Sequence, residues 1–119
     1  MPSEQTRDSI YYRYQVQQKD GYDFTFSNMH CNGCFVAGMN FDASLVSLFY
    51  GAGGLKLTIK IGALAGWDSD NPTSTCGRLI GFMIGKKAIE KAFDRIFSNR
   101  FNIQRTRQNF PQKGIHTFE

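Results

Sequence analysis

Gly66-Trp67-Asp68-Ser69-Asp70-Asn71-Pro72-Thr73 reads as a loop that ends where a helix begins, and that junction orders the rest of the chain. Asn71 is a favoured N-cap, and Pro72 suits the first helical position, where its missing N–H would have no partner anyway; Thr73 adds a nearby oxygen. In an extended Asp-x-Asp, side chains at i and i+2 point the same way, so Asp68 and Asp70 converge while Ser69 faces away. Two convergent carboxylates suit a hard cation, because magnesium prefers oxygen ligands, takes one or two carboxylates and keeps places for water. Acids at a helix start also complement the positive end of its dipole, which is their commoner use.

Downstream, Gly77, Gly81 and Gly85 recur every four residues and line one face of a helix over about Pro72 to Lys86. Each glycine costs a helix about 1 kcal/mol relative to alanine, so three of them imply close approach of another backbone. Arg78, Lys86 and Lys87 interrupt the apolar run, leaving nothing near the roughly 20 residues that span a bilayer, so no membrane partner is expected. Upstream, Leu55 to Leu64 sets Leu57, Ile61 and Leu64 opposite Lys56 and Lys60, the pattern of an amphipathic helix. Phe35 to Tyr50 is apolar nearly all round, as in a helix enclosed by others. Gly51, Gly53 and Gly54 join these two helices; they lack the Lys-Ser/Thr ending of a phosphate loop.

The segment from Cys34 to Gly85, with Gly66-Trp67-Asp68-Ser69-Asp70-Asn71 followed by Gly77 and Gly81, resembles the C-terminal metal-binding region of the ADP-ribosylglycohydrolase family. Those proteins are all-α hydrolases that use paired magnesium ions to cleave the glycosidic bond between ADP-ribose and its acceptor. The resemblance implies that Asp68 and Asp70 are magnesium ligands, with Asn71 where the family often has a ligating threonine. Trp67 then either flanks the ligand or wedges the loop, with Ser69 and Thr73 beside the ligand, which is ADP-ribose or an ADP-ribosylated protein. The family completes its site with adjacent aspartates from the N-terminal half of a longer domain. This chain contains no Asp-Asp pair, Arg78 replaces a small residue, and Ala52 and Gly54 stand where acids are expected. The expectation is a mainly α-helical fragment of such a domain, carrying half of the metal site and inactive by itself.

The flanks differ from this helical centre. Ile10, Tyr12, Tyr14 and Val16 alternate with Tyr11, Arg13 and Gln15, and Asp20-Gly21 then precedes Tyr22, Phe24 and Phe26. Alternation on both sides of Asp-Gly predicts a β-hairpin. The division is therefore 1–33 as an N-terminal extension or hairpin, 34–93 as the helical region, and 94–119 as a basic tail. A length of 119 residues suits one domain, and the net charge of +4 is concentrated towards the C-terminus, in Lys86, Lys87, Lys91, Arg95, Arg100, Arg105, Arg107 and Lys113.

A basic nucleic-acid-binding module is the rival reading, with Arg105-Thr106-Arg107-Gln108-Asn109 on phosphates and Phe101 or Phe110 stacking on bases. No recognisable binding module accompanies the charge, so nucleic acid ranks below ADP-ribose; a non-catalytic structural product is the third reading. Three cysteines leave one unpaired, and with no signal peptide this points to an intracellular, cytoplasmic setting. His30-Cys31-Asn32-Gly33-Cys34 lacks the second closely spaced pair of a structural zinc site, and Asn32-Gly33 reads as a turn before the apolar helix.

Overall fold

Helices dominate the chain, as its periodicity predicts. The computed structural model describes residues 2–23, 25, 28–102 and 115–117. Helix α1, Ser3–Tyr11, runs directly into a π-helical turn, Tyr12–Val16, and a short 3-10 turn follows at His30–Asn32. Then come α2, Ala37–Gly51, α3, Leu55–Leu64, and α4, Asp70–Phe93. Two short strands, β1, Arg100–Asn102, and β2, Ile115–Thr117, pair antiparallel with Phe101 opposite His116. No helix among the described residues is long and apolar enough to cross a membrane.

Small residues let α2, α3 and α4 meet. A Cβ at Gly51 would stand 1.9 Å from Thr58 Oγ1 and 2.8 Å from Thr58 Cα, so α3 can return against α2 only if residue 51 has no side chain. One at Gly62 would stand 3.0 Å from Thr73 Oγ1 and 3.1 Å from Ser47 Oγ, which locates the crossing of all three helices. Ser47, Thr58 and Cys76 are buried in this seam. Ser47 Oγ donates to Ala43 O at 2.8 Å and Cys76 Sγ to Ser44 O at 3.4 Å, whereas Thr58 Oγ1 is buried with no hydrogen-bond partner among the described residues.

The fully buried positions of α3 are therefore Leu55, Thr58 and Gly62, a correction to the expected stripe of Leu57, Ile61 and Leu64, of which only Ile61 is half-buried against the core cluster. Leu57 and Leu64 are exposed, and with Arg7, Val46, Tyr50 and Lys60 they line an open groove of about 500 Å³. Backbone proximity, which needs small residues, decides this face over hydrophobicity. The glycine row of α4 is corrected too. Gly77 and Gly81 stay on the helix, but Gly85 breaks it, with φ 77° and ψ 166°. Few residues other than glycine tolerate that backbone. The chain after the break folds back, so that a Cβ at Gly81 would stand 3.2 Å from Ile89 Cδ1. Lys56 Nζ lies over the Phe93 ring, 5.6 Å from its centroid.

The N-terminal hairpin is not formed; its first half is α1 and the π-helical turn. Of the alternating set, Ile10 and Tyr14 are buried while Tyr12 and Val16 are about half exposed, so the effective spacing is four, not two. Ile10, Tyr14, Tyr22, Met39 and Val46 form a core cluster, with Trp67 packed against it. The Tyr14 ring lies so close to α2 that a Cβ at Gly38 would come within 2.9 Å of its hydroxyl. The turn itself is real: Asp20 and Gly21 both have positive φ, and Tyr22 N–H donates to Lys19 O at 3.2 Å. It joins the π-helical turn to an irregular segment. Phe24 and Phe26 lie outside the described residues.

Candidate functional site

The loop between α3 and α4 is a tight left-handed turn. Gly66 and Trp67 have φ of 91° and 56° in succession, and a bulky aromatic rarely takes such a backbone. Trp67 is held there by its indole, whose Nε1–H donates to Gln15 Oε1 at 2.9 Å, and by packing against the core cluster. Gln15 sits in the π-helical turn, 52 residues away in sequence. The extra residue of a π turn re-aims side chains, which places Gln15 over the loop.

Asp68 and Asp70 follow at once. Their carboxyl groups come within hydrogen-bonding reach of each other; sharing a proton with Asp70, then partial desolvation and the Asp70 charge, holds Asp68 above the ordinary carboxylate value. Asp70 lies in the first turn of α4, where the dipole favours a negative charge. The expected cap differs. Ser69, not Asn71, occupies the N-cap position, and no side chain caps the helix. Asn71 is already helical, its N–H donating to Asp68 O at 2.9 Å, and its exposed side chain is left at the loop surface. Pro72 is buried within the first turn, where it has no bond to break.

Thr73 is committed elsewhere: its hydroxyl donates to Ser69 O at 2.6 Å and packs at the Gly62 crossing. The loop thus brings together Asp68, Asp70, Ser69 and Asn71, with Trp67 beside them, and uses Thr73 for helix packing. Among the described residues, no group of three His, Cys, Asp or Glu side chains is arranged to hold a metal ion. Two carboxylates with neighbouring amide and hydroxyl oxygens fit a weakly held, largely hydrated magnesium ion, and not a protein cage.

The His30, Cys31 and Cys34 cluster is no metal site in this state, because Cys31 and Cys34 are joined by a disulfide. Cys76, the third cysteine, is free and buried, and burial pushes its thiol pKa up. In the basic C-terminal stretch, Lys86 pairs with Glu90 at 3.8 Å, and Glu90 Oε1 also accepts the Phe97 N–H at 2.9 Å. Arg105, Thr106, Arg107, Gln108, Asn109, Phe110 and Lys113 lie outside the described residues.

Gln15 is the residue that periodicity misses: within the expected hairpin it is merely an outward polar position, and only the fold brings it to Trp67. No family model matches the chain, and no curated protein or solved structure matches it.

Proposed function

We propose that the chain is an ADP-ribosylglycohydrolase-like protein whose loop from Gly66 to Asn71 supplies half of a magnesium site for an ADP-ribosyl ligand. The convergence of Asp68 and Asp70 at the start of α4 carries this reading. Asn71 and Ser69 offer further oxygens, and Trp67, packed against the core and bonded to Gln15, fixes the loop that carries them. In the complete family site two magnesium ions polarise the ribose and orient water. One carboxylate pair holds at most one such ion, so the chain alone binds and does not turn over. The proposed intracellular, cytoplasmic setting would keep Cys31 and Cys34 reduced, so their disulfide accords with it only as a transient bridge, and the free, buried Cys76 does not distinguish compartments.

Titration calorimetry of ADP-ribose with and without magnesium tests the proposal. Binding is expected only with magnesium, and a loss of at least tenfold is expected in the Asp68→Ala, Asp70→Ala double variant, about 1.4 kcal/mol. Metal binding requires deprotonated ligands, so affinity should weaken as pH falls into the raised titration range of Asp68. Magnesium-independent binding, affinity unchanged in the double variant, or nucleic-acid binding that falls steeply with salt overturns the reading.

A further inference from the structure

We propose that Cys31 and Cys34 form a reversible dithiol/disulfide site whose state is transmitted to Trp67 through Asn32 and Gln15. Three observations carry it.

The first is access. Cys31 is exposed and Cys34 half-buried, their Cα atoms are 5.3 Å apart, and two residues separate them in sequence, so an incoming thiolate can reach the bridge from solvent. Cys76 is sealed in the helix seam and does not compete for pairing.

The second is the backbone inside the bridge. Cys31, Asn32 and Gly33 all have left-handed φ, at 53°, 50° and 68°. Two of these are not glycine, and such conformations persist only while the surroundings enforce them. The bridge is one enforcing bond. The others are Tyr22 Oη–H and Gln15 Nε2–H, which donate to Asn32 O at 2.8 Å and 3.0 Å, and Asn40 Nδ2–H, which donates to Cys34 O at 2.7 Å.

The third is the connection. Gln15 spans two loops, its amide nitrogen bonded to Asn32 O and its amide oxygen to Trp67 Nε1 at 2.9 Å. When the bridge opens, Cys31 and Asn32 are free to leave the left-handed region, Asn32 O moves, and Gln15 loses the partner that fixes its amide over Trp67.

The chemistry balances as thiol–disulfide exchange with a low-molecular-weight thiol, RSH. A thiolate RS⁻ attacks the Cys31 sulfur, forming a mixed disulfide and releasing the Cys34 thiolate, which takes up a proton. A second RS⁻ attacks the R sulfur of that mixed disulfide and releases the Cys31 thiolate. The products are two protein thiols and RSSR; the pair gains two electrons and two protons, which the two RSH molecules lose. The reverse reaction closes the bridge. In a reducing compartment, the setting proposed above, a disulfide is characteristically transient and redox-sensing.

Trp67 is the only tryptophan in the chain, so its fluorescence reports the connection without reference to what Asp68 and Asp70 bind. The full chain is equilibrated across a series of reduced and oxidised dithiothreitol ratios, then divided between emission spectra and alkylation followed by mass measurement after denaturation. The expected result is one alkylated cysteine under oxidising conditions and three under reducing conditions, with the Trp67 emission change tracking the thiol count at one midpoint. Gln15→Met should retain the thiol transition and lose the emission change. Cys31→Ser and Cys34→Ser should each lose both. Three alkylated cysteines at every ratio, or one at every ratio, overturns the reversible site; a Trp67 emission that ignores a measured thiol transition, or an undiminished response in Gln15→Met, overturns the connection.

Discussion

Where α2, α3 and α4 meet, contact is made by Ser47, Gly51, Thr58, Gly62 and Cys76; where the N-terminal arm lies across them, it is made by Tyr14, Gln15, Tyr22 and Trp67. The helical seam is held by close approach at small residues, with Leu55 of α3 and Ile80 of α4 also buried and Ile59 packed over Gly77. The arm is held by large rings and by hydrogen bonds between distant side chains and carbonyls, such as Thr6 Oγ1 with Tyr50 Oη at 2.8 Å. A close-packed seam should fail abruptly when volume is added, and a bonded arm should weaken in steps as single bonds are removed.

Gly51→Ala is the strongest test of that contrast. The new methyl cannot coexist with Thr58, whose main chain is one of the obstructing groups, and the loss should be about 3 kcal/mol in urea unfolding. A loss under about 1 kcal/mol would mean that the helices can separate cheaply, and the contrast would fail. Tyr22→Phe removes one of two donors to Asn32 O and leaves Gln15 in place. The expected cost is about 1 kcal/mol, with the amide exchange of the 30–34 turn increased more than that of α3. The smallest effect is expected from Leu64→Ser, within about 0.5 kcal/mol, because Leu64 is 65% exposed on the groove. A large loss there would restore Leu64 to the core.

The same contrast explains what is legible in the residues. The three central helices are readable from three different signals, an apolar run, an amphipathic period and a glycine row, and α3 falls where its period puts it, at Leu55–Leu64; α2, expected to be enclosed all round, instead leaves Phe41 and Phe49 exposed. The face that α3 buries is not readable, because steric closeness at Gly51 and Gly62 depends on which backbone arrives opposite. For the arm, alternation and four-residue spacing coincide at Ile10 and Tyr14, so only tertiary packing chooses between strand and helix. At the loop, Asp68 and Asp70 do come within reach of each other, but across a Ser69 in helical backbone and not along the extended Asp-x-Asp expected from the sequence. The cap is displaced to Ser69 because the helix starts earlier than Pro72 alone would suggest. Gln15, bonded to residues 17 and 52 positions away, leaves no local trace at all.

The break at Gly85 divides the longest helix into two stretches that need not melt together. Hydrogen-bond ladders propagate fraying one residue at a time from an open end, and the reversal at Gly85 interrupts that propagation. The stretch from Lys86 to Phe93 is anchored instead by Ile89 on Gly81 and by Lys56 over Phe93. Protection of backbone amides should therefore fall in a step at residue 85, so that the basic end of the molecule can open and close many times while the helix that presents Asp70 stays whole.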